Sequence, residues 1–96
     1  MGLSDLLKTR RDEILRIAAK YGARNVRVFG SAARGEAGPK SDVDFLVDME
    51  QGRSLLDLIG LGEELEAILR LSVDVITDRS VSPYLRDRIY SEAVVL

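Results

Sequence analysis

Residues 26–47 read VRVFGSAARGEAGPKSDVDFLV and contain two apolar segments separated by a run of small and polar residues. The first segment, residues 26–29, alternates like a short β-strand and ends at Gly30-Ser31. Residues 32–37 could form a brief helical turn, and Gly38-Pro39 then marks a loop. The second segment, residues 43–47, is rich in β-branched and aromatic side chains, which predicts a strand buried on both faces.

Helical patterns flank these two strands. Apolar residues recur at helical spacing from Ser4 to Tyr21, with Ser4 as the expected N-cap and Gly22 as the expected stop. Ser54 opens a second helical segment, and Asp57 three residues later forms a variant of the capping box. Two glycines, Gly60 and Gly62, weaken the prediction in the middle of that segment.

The remainder of the chain predicts one more strand and one more helix. Residues 73–77 form the third expected strand, and Ser82-Pro83 begins a last helix that runs toward Val94. The apolar residues 93–96 are expected to pack into the core or to dock on a partner. The expected fold is therefore an α/β (α+β) sandwich, a single domain spanning residues 1–96 in which helices flank one small sheet.

Composition narrows the chemistry. The chain has no histidine and no cysteine, so any catalysis depends on carboxylates, hydroxyls, lysine, arginine and tyrosine. Carboxylates without histidine favour hard cations such as Mg²⁺. The net charge of −2 makes non-specific binding to nucleic acid a poor expectation. Without an apolar run of about 20 residues or a signal peptide, we expect no membrane association and a cytoplasmic protein.

Four residues of the 26–47 region form the core of a candidate phosphate and metal site. Gly30 lacks a Cβ and allows a ligand close to the backbone, while Ser31 lies where a helix N-terminus would bind phosphate oxygens. Asp42 and Asp44, spaced i and i+2 on a strand, point to one side with Cα atoms about 6.5–7 Å apart. Such a pair can hold two Mg²⁺ ions about 3.5–4 Å apart, as in phosphoryl-transfer sites.

Three further residues complete the candidate site. Arg34 and Lys40 offer positive charge that could neutralise a triphosphate or the departing pyrophosphate. Asp74 lies between Val73 and Val75 on a strand that otherwise reads as core, where an unpaired charge would be costly and a metal could be its partner. Asp74 is the best candidate for a third carboxylate that helps to deprotonate a hydroxyl.

Each feature taken alone has a simpler interpretation. Gly30-Ser31 alone is a turn, and an Asp-x-Asp pair is often solvated. Arg34 and Lys40 are more often surface charges than ligands, and Asp74 could be an edge-strand carboxylate that faces water. The ordered combination within one small domain is what favours function.

The spacing of Gly30-Ser31, ten residues and Asp42-Val43-Asp44 resembles the Gly-Ser-x10-Asp-x-Asp hallmark of the DNA polymerase β nucleotidyltransferase superfamily. Residues 28–37 and 40–47 look like the minimal nucleotidyltransferase (MNT) branch, and the likeness extends to residues 72–76 and 85–89. The resemblance implies the polymerase β-like fold, in which a small mixed sheet carries the acidic residues. It also implies that Gly30 and Ser31 contact nucleotide phosphates.

The resemblance further implies metal ligands and a partner. Asp42 and Asp44 would bind Mg²⁺, and Asp74 would complete the acidic triad. Many MNT proteins are antitoxins encoded beside HEPN-domain ribonuclease toxins, and characterised members transfer AMP from ATP to a toxin tyrosine. The predicted elements use up the chain, so we expect an acceptor protein that brings its own recognition surface.

The leading hypothesis is therefore Mg²⁺-dependent transfer of AMP from ATP to a HEPN-type toxin, which makes the protein an antitoxin. One alternative is an antitoxin that neutralises its toxin by binding alone, without catalysis. Another is a transferase that acts on a small molecule or a nucleic-acid end. The lack of an acceptor-binding segment and the near-neutral charge argue against this last alternative.

Overall fold

A computed structural model describes residues 3–30 and 42–96 of the chain. Its regular elements are helices and strands. In chain order they are α1 (Leu3–Thr9), α2 (Arg11–Lys20), β1 (Ala23–Phe29), β2 (Val43–Met49), α3 (Leu55–Leu69), β3 (Val73–Thr77), α4 (Pro83–Glu92) and β4 (Val94–Val95), with a 3₁₀ turn at Asp78–Ser80.

The strands form one mixed sheet in the order β3-β2-β1-β4. Strand β1 runs antiparallel to both β2 and β4, whereas β2 and β3 are parallel. A parallel pair needs a crossover connection, and α3 provides it between β2 and β3. The small mixed sheet flanked by helices confirms the predicted fold class.

The main core lies between one face of the sheet and the helices α2 and α3. Alternate residues of β2 point into it, and the side chain of Phe45 is fully buried there. The second face of β2 carries Leu46, which is also fully buried. Strand β2 is therefore buried on both faces, as predicted. The buried core residues of the two helices are Ile14 and Ala18 of α2 and Leu61, Leu65 and Leu69 of α3.

The predicted first helix is wrong in one respect, because it is two helices rather than one. The break falls at Arg10, whose φ of −96° and ψ of 6° depart from helical values. One residue earlier, Thr9 Oγ1 donates a hydrogen bond to the Asp5 carbonyl at 2.8 Å, and such back-bonding bends helices. Helix α1 also begins at Leu3, so Ser4 lies inside it rather than capping it. Gly22 ends α2 with a φ of 79°, as expected of a stop residue.

The C-terminal segment forms a strand that the sequence analysis did not predict. Val94 and Val95 pair with Val28 and Arg27 at the edge of β1, and both valines are exposed. Leu96 packs against the core. The expectation that the tail packs into the core is therefore met by its last residue, while the two valines extend the sheet.

None of the helices in the described part of the chain has the length and apolar character needed to cross a membrane.

The two glycines of α3 occupy different surroundings although the helix continues through both. A Cβ placed on Gly60 would lie 2.7 Å from Cε1 of Tyr21, so the ring of Tyr21 packs against the bare backbone. A Cβ on Gly62 would meet only Cγ2 of Val75, at an ordinary contact distance of 3.8 Å. The glycine at position 60 is thus required by packing, whereas the one at 62 is not.

We predict that Gly62→Ala stabilises the protein and that Gly60→Ala does not. Alanine in a helix interior is favoured over glycine by about 1 kcal/mol. For a domain of this size that gain corresponds to a rise in Tm of about 4–8 °C. In Gly60→Ala the energetic cost of displacing the Tyr21 ring offsets the same gain in stability. Thermal unfolding followed by circular dichroism measures both, and an equal rise in the two variants would contradict this account.

Candidate active site

The parallel register of β2 and β3 brings two aspartates side by side. Asp44 pairs with Asp74 in that register, so both carboxylates lie on the same face of the sheet. Neighbouring strands are about 4.7–4.9 Å apart, which keeps the two side chains close together. Asp44 is half-buried and Asp74 is exposed.

Asp42 extends this acidic cluster. It lies one residue before β2 and two residues before Asp44, and its side chain is exposed. Its negative charge acts on Asp44, as does that of Asp74. The three aspartates that the sequence singles out are therefore brought together at the end of the sheet where β2 and β3 begin.

Asp44 is the electrostatic centre of the cluster. Its partial burial raises its pKa above the ordinary value of an aspartate, and the charges of Asp74 and Asp42 raise the pKa further. Burial disfavours the charged carboxylate because solvation is lost, and two nearby negative charges add repulsion. A cation placed among these side chains would relieve both effects.

Gly30 forms the opposite wall of the cluster. It follows Phe29, the residue of β1 that pairs with Asp44, and it has a φ of +72°. A Cβ at this position would lie only 2.6 Å from Oδ2 of Asp44. The backbone therefore approaches the carboxylate as closely as a glycine allows, and any L side chain here would be strained. The sequence predicted a close approach at this glycine, and the structure shows that Asp44 is the group approached.

Three predicted site residues, Ser31, Arg34 and Lys40, lie outside the described residues. The helical turn expected over residues 32–37 also lies outside the described residues.

The reason given for choosing Asp74 is wrong, although its position is as expected. We inferred a buried strand in which a charge would need a partner, but β3 is an edge strand and Asp74 is exposed. Water can therefore solvate this carboxylate, and no burial cost demands a metal. What links Asp74 to the site is its register with Asp44, which depends on long-range strand pairing.

A second polar cluster on the same face was not anticipated. Asp48 lies within β2 and accepts a hydrogen bond from Arg27 Nη2 at 3.0 Å. Asn25 Nδ2 donates to the same carboxylate at 2.7 Å. The Tyr90 ring of α4 packs 5.3 Å from Cζ of Arg27, whose side chain is only 15% exposed. The alternation that places Asp44 on this face also places Asp48 there, and that signal could have identified it.

The donor set is suited to Mg²⁺, provided that a nucleotide shares the ion. In the part of the chain that is described, no three acidic side chains surround a common point closely enough to hold a metal by themselves. Mg²⁺ does not require such a cage, because it is usually bound by one or two carboxylates together with substrate phosphates and water. The oxygen-only cluster around Asp44 fits that mode of binding.

A cavity of about 480 Å³ lies at the other end of β2 and β3, away from the aspartates. Its lining includes Asp48, Ser54, Thr77 and Asp78. One of its two arginines, Arg53, pairs with Glu50 at 3.3 Å and with Asp57 at 3.6 Å. We place the candidate active site at the aspartate cluster because the charges there are left mutually repulsive, whereas this arginine is neutralised.

Comparison with known proteins identifies the family of this chain. Residues 11–96 match the family described as the nucleotidyltransferase domain. A candidate protein adenylyltransferase of Methanocaldococcus jannaschii is 48% identical over 82 residues, which cover 85% of this chain and 88% of that protein. The solved structure of a candidate minimal nucleotidyltransferase is similar over 100% of this chain and 97% of that chain, with a TM-score of 0.89 and 45% identity.

A more distant neighbour shares the fold. It belongs to a complex of a tri-AMPylated Shewanella oneidensis HEPN toxin with an MNT antitoxin. The match covers 92% of this chain and 69% of that chain, with a TM-score of 0.70 and 18% identity.

We predict that Asp44→Asn stabilises the protein at neutral pH and has little effect in acid. The pKa of Asp44 is higher in the folded than in the unfolded chain, so the folded state holds this proton more tightly. The resulting stability is fully present below the ordinary aspartate pKa and is lost as the pH rises through the raised value. Asparagine carries no charge and removes that loss.

Thermal unfolding at pH 7 and at pH 3 tests this prediction, with Asp12→Asn as the matched control because the Asp12 side chain is 91% exposed. Asp44→Asn should raise Tm relative to wild type only at pH 7, and Asp12→Asn should change it little at either pH. A lower Tm for Asp44→Asn at pH 7 would show that Asp44 is not under electrostatic strain.

Proposed function

The chain belongs to the nucleotidyltransferase domain family, and we propose that it transfers AMP from ATP to a tyrosine hydroxyl of a partner HEPN-type toxin. It is a nucleotidyltransferase of the protein adenylyltransferase type, the activity for which its relatives are named. The observation that carries the proposal is the pairing of Asp44 with Asp74 beside the backbone of Gly30. This arrangement supports the proposal of a cation site, a phosphate-facing backbone and an accessible base at one end of the sheet.

The nucleotide would bind where β1 ends. We assign contacts with its phosphates to Gly30, Ser31, Arg34 and Lys40, following the sequence pattern. Backbone amides after a glycine corner and nearby cations are suited to phosphate oxygens. Support for ATP comes from a chain of the same fold that occurs in a toxin–antitoxin complex with AMP-PNP.

Asp42 and Asp44 would hold Mg²⁺, with Asp74 completing the ligand set for a pair of ions. When bound, Mg²⁺ supplies positive charge that stabilises the negative charge developing around the α-phosphorus. The raised pKa of Asp44 is consistent with this role, because a bound cation favours the ionised carboxylate.

In the transfer step, the acceptor oxygen attacks the α-phosphorus of ATP in line with the departing group. The new bond joins that oxygen to phosphorus, and the bond from the α-phosphorus to the bridging oxygen of pyrophosphate breaks. Asp74 accepts the proton of the hydroxyl. Its exposure on an edge strand suits this role, since a large acceptor can approach it from solvent. Positioning and electrostatics supply most of the rate enhancement for such a transfer.

Modification of the toxin would make this protein an antitoxin. We place the reaction in the cytoplasm, where ATP is available and a chain without cysteine has no need of disulfides. The competing hypothesis, neutralisation by binding alone, predicts that loss of the acidic cluster leaves neutralisation intact.

We predict that Asp44→Asn lowers AMP transfer by at least about 10²-fold, the order found when one group that stabilises transition-state charge is removed. The assay follows label from α-labelled ATP onto the purified HEPN-domain partner in the presence of Mg²⁺. The matched control is Asp12→Asn, because Asp12 is an exposed carboxylate on α2 that is distant from Asp44 in the sequence. This control should transfer AMP at the wild-type rate.

A double variant separates catalysis from binding in cells. If Asp42→Ala with Asp44→Ala still neutralises the toxin at normal expression, the protein acts by binding alone and the transferase proposal fails for its biological role.

We predict that Gly30→Ala abolishes most transfer while Gly52→Ala retains it. Both glycines have a positive φ, +72° and +90°, so both substitutions strain the backbone by a similar amount. A Cβ at Gly52 meets nothing within 4 Å, whereas one at Gly30 collides with the Asp44 carboxylate. Equal loss of transfer in the two variants, at matched Tm, would mean that the contact between Gly30 and Asp44 is not what the site requires.

A further inference from the structure

A shallow apolar groove of about 320 Å³ lies where α3 passes the edge strand β3. We call it the α3–β3 groove. Its apolar lining consists of Leu55, Leu58, Ile59, Val73 and Val75, and its acidic lining of Glu63 and Glu66. No strand pairs with the outer edge of β3 in the described part of the chain, since the sheet order begins at β3.

Two large apolar side chains of the groove are exposed to solvent. Leu55 is 70% exposed and Ile59 is 47% exposed. They are spaced i and i+4, so they lie on one side of the helix. Helix α3 already attaches to the core through Leu61, Leu65 and Leu69. Leu55 and Ile59 therefore form apolar surface beyond what the fold uses, and such surface marks a contact site.

The groove adjoins the proposed active site. Val73 and Val75 line it, and Asp74 lies between them on the same strand but points to the opposite face. A polypeptide lying along the edge of β3 would contact the groove on one side and could reach Asp74 around the edge. The position that would hold an acceptor and the residue that would deprotonate it are thus one residue apart.

The charge of α3 indicates what kind of partner fits. Its sequence, LLDLIGLGEELEAIL, contains four carboxylates and no lysine or arginine. Asp57 and Glu64 are paired with Arg53 and Lys20, while Glu63 and Glu66 line the groove. A complementary partner presents apolar side chains flanked by lysine or arginine.

We propose that the α3–β3 groove docks the acceptor protein through an apolar ridge flanked by basic residues, and that this docking delivers the acceptor hydroxyl to Asp74. The proposal rests on the proposed adenylyl transfer and adds the surface that selects the acceptor. It separates recognition of the acceptor from recognition of ATP, because the groove lies on the sheet face that α2 and α3 cover and the aspartates lie on the opposite face.

The test uses the full chain, the purified HEPN-domain partner and the double variant Leu55→Glu with Ile59→Glu. Both positions are exposed, glutamate is a good helix former, and an acid at the first turn suits the helix dipole. The control is Leu85→Glu on α4, because Leu85 is 50% exposed and the substitution adds one negative charge, as each substitution of the double variant does. Tm and the affinity for ATP are measured for every variant and should equal those of wild type.

The double variant is expected to weaken partner binding, and to raise the KM for the partner, by at least about tenfold. Leu85→Glu should change neither value by more than about twofold. Glu63→Lys should weaken binding at low salt, with the difference from wild type shrinking at high salt. Unchanged binding by the double variant overturns the proposal, and so does an equal loss in Leu85→Glu, which would place docking on α4.

Three further outcomes are distinct. If the wild-type chain self-associates and the double variant is monomeric by light scattering, a second copy covers the groove and the proposal is overturned. If wild type binds the partner through the groove but transfers no label, the proposed function fails and the docking surface stands. If wild type and the double variant transfer label equally well, the docking surface fails and the proposed function stands.

Discussion

The structure depends on the parallel register of β2 and β3, which places Asp44 directly beside Asp74. That register sets two like charges against each other and raises the pKa of Asp44, so the chain folds against an electrostatic cost. Apolar burial on the opposite face offsets that cost, since Val43, Phe45 and Val47 of the same strand are fully buried under the helices. The odd-numbered residues of this strand therefore stabilise the fold, while Asp44 on its other face belongs to the proposed site.

Gly30 limits where the carboxylate of Asp44 can lie. Because its backbone lies against Oδ2 of Asp44, the carboxylate has a fixed wall on one side and solvent on the other. A flexible wall would let Asp44 turn away from Asp74 and relieve the repulsion. Close approach of the backbone thus preserves the unfavourable arrangement that a cation and a nucleotide can satisfy. Raised pKa values at such positions are typical of functional sites, where stability is given up for activity.

Much of the fold and of the candidate site could be predicted from sequence, because the relevant signals are local. Strand β3 was predicted with its observed bounds, and Ser54 and Pro83 marked the starts of α3 and α4. Asp42, Asp44 and Gly30 follow from alternation and glycine chemistry within a short segment. The break at Arg10 was not predictable from periodicity, since the apolar spacing runs through it and only the hydrogen bond of Thr9 to Asp5 reveals it. Strand β4 is two residues long, too short for a period to be recognised.

The remaining features arise from pairing between distant parts of the chain. Nothing within residues 73–77 shows that β3 is an edge strand. The sequence therefore predicts a buried Asp74, whereas the structure shows this residue exposed and beside Asp44. Asp48 likewise depends on a distant residue, because its partner Arg27 is 21 residues away. The edge position determines what can reach the carboxylate of Asp74. In a central strand the carboxylate would be sealed from a protein acceptor, whereas at the edge it is solvated, close to Asp44, and next to exposed apolar side chains and a backbone edge with which no described strand pairs. For a transfer to a macromolecule, the accessible edge is the better position, and it would let one short strand serve both the proposed chemistry and the proposed recognition of the acceptor.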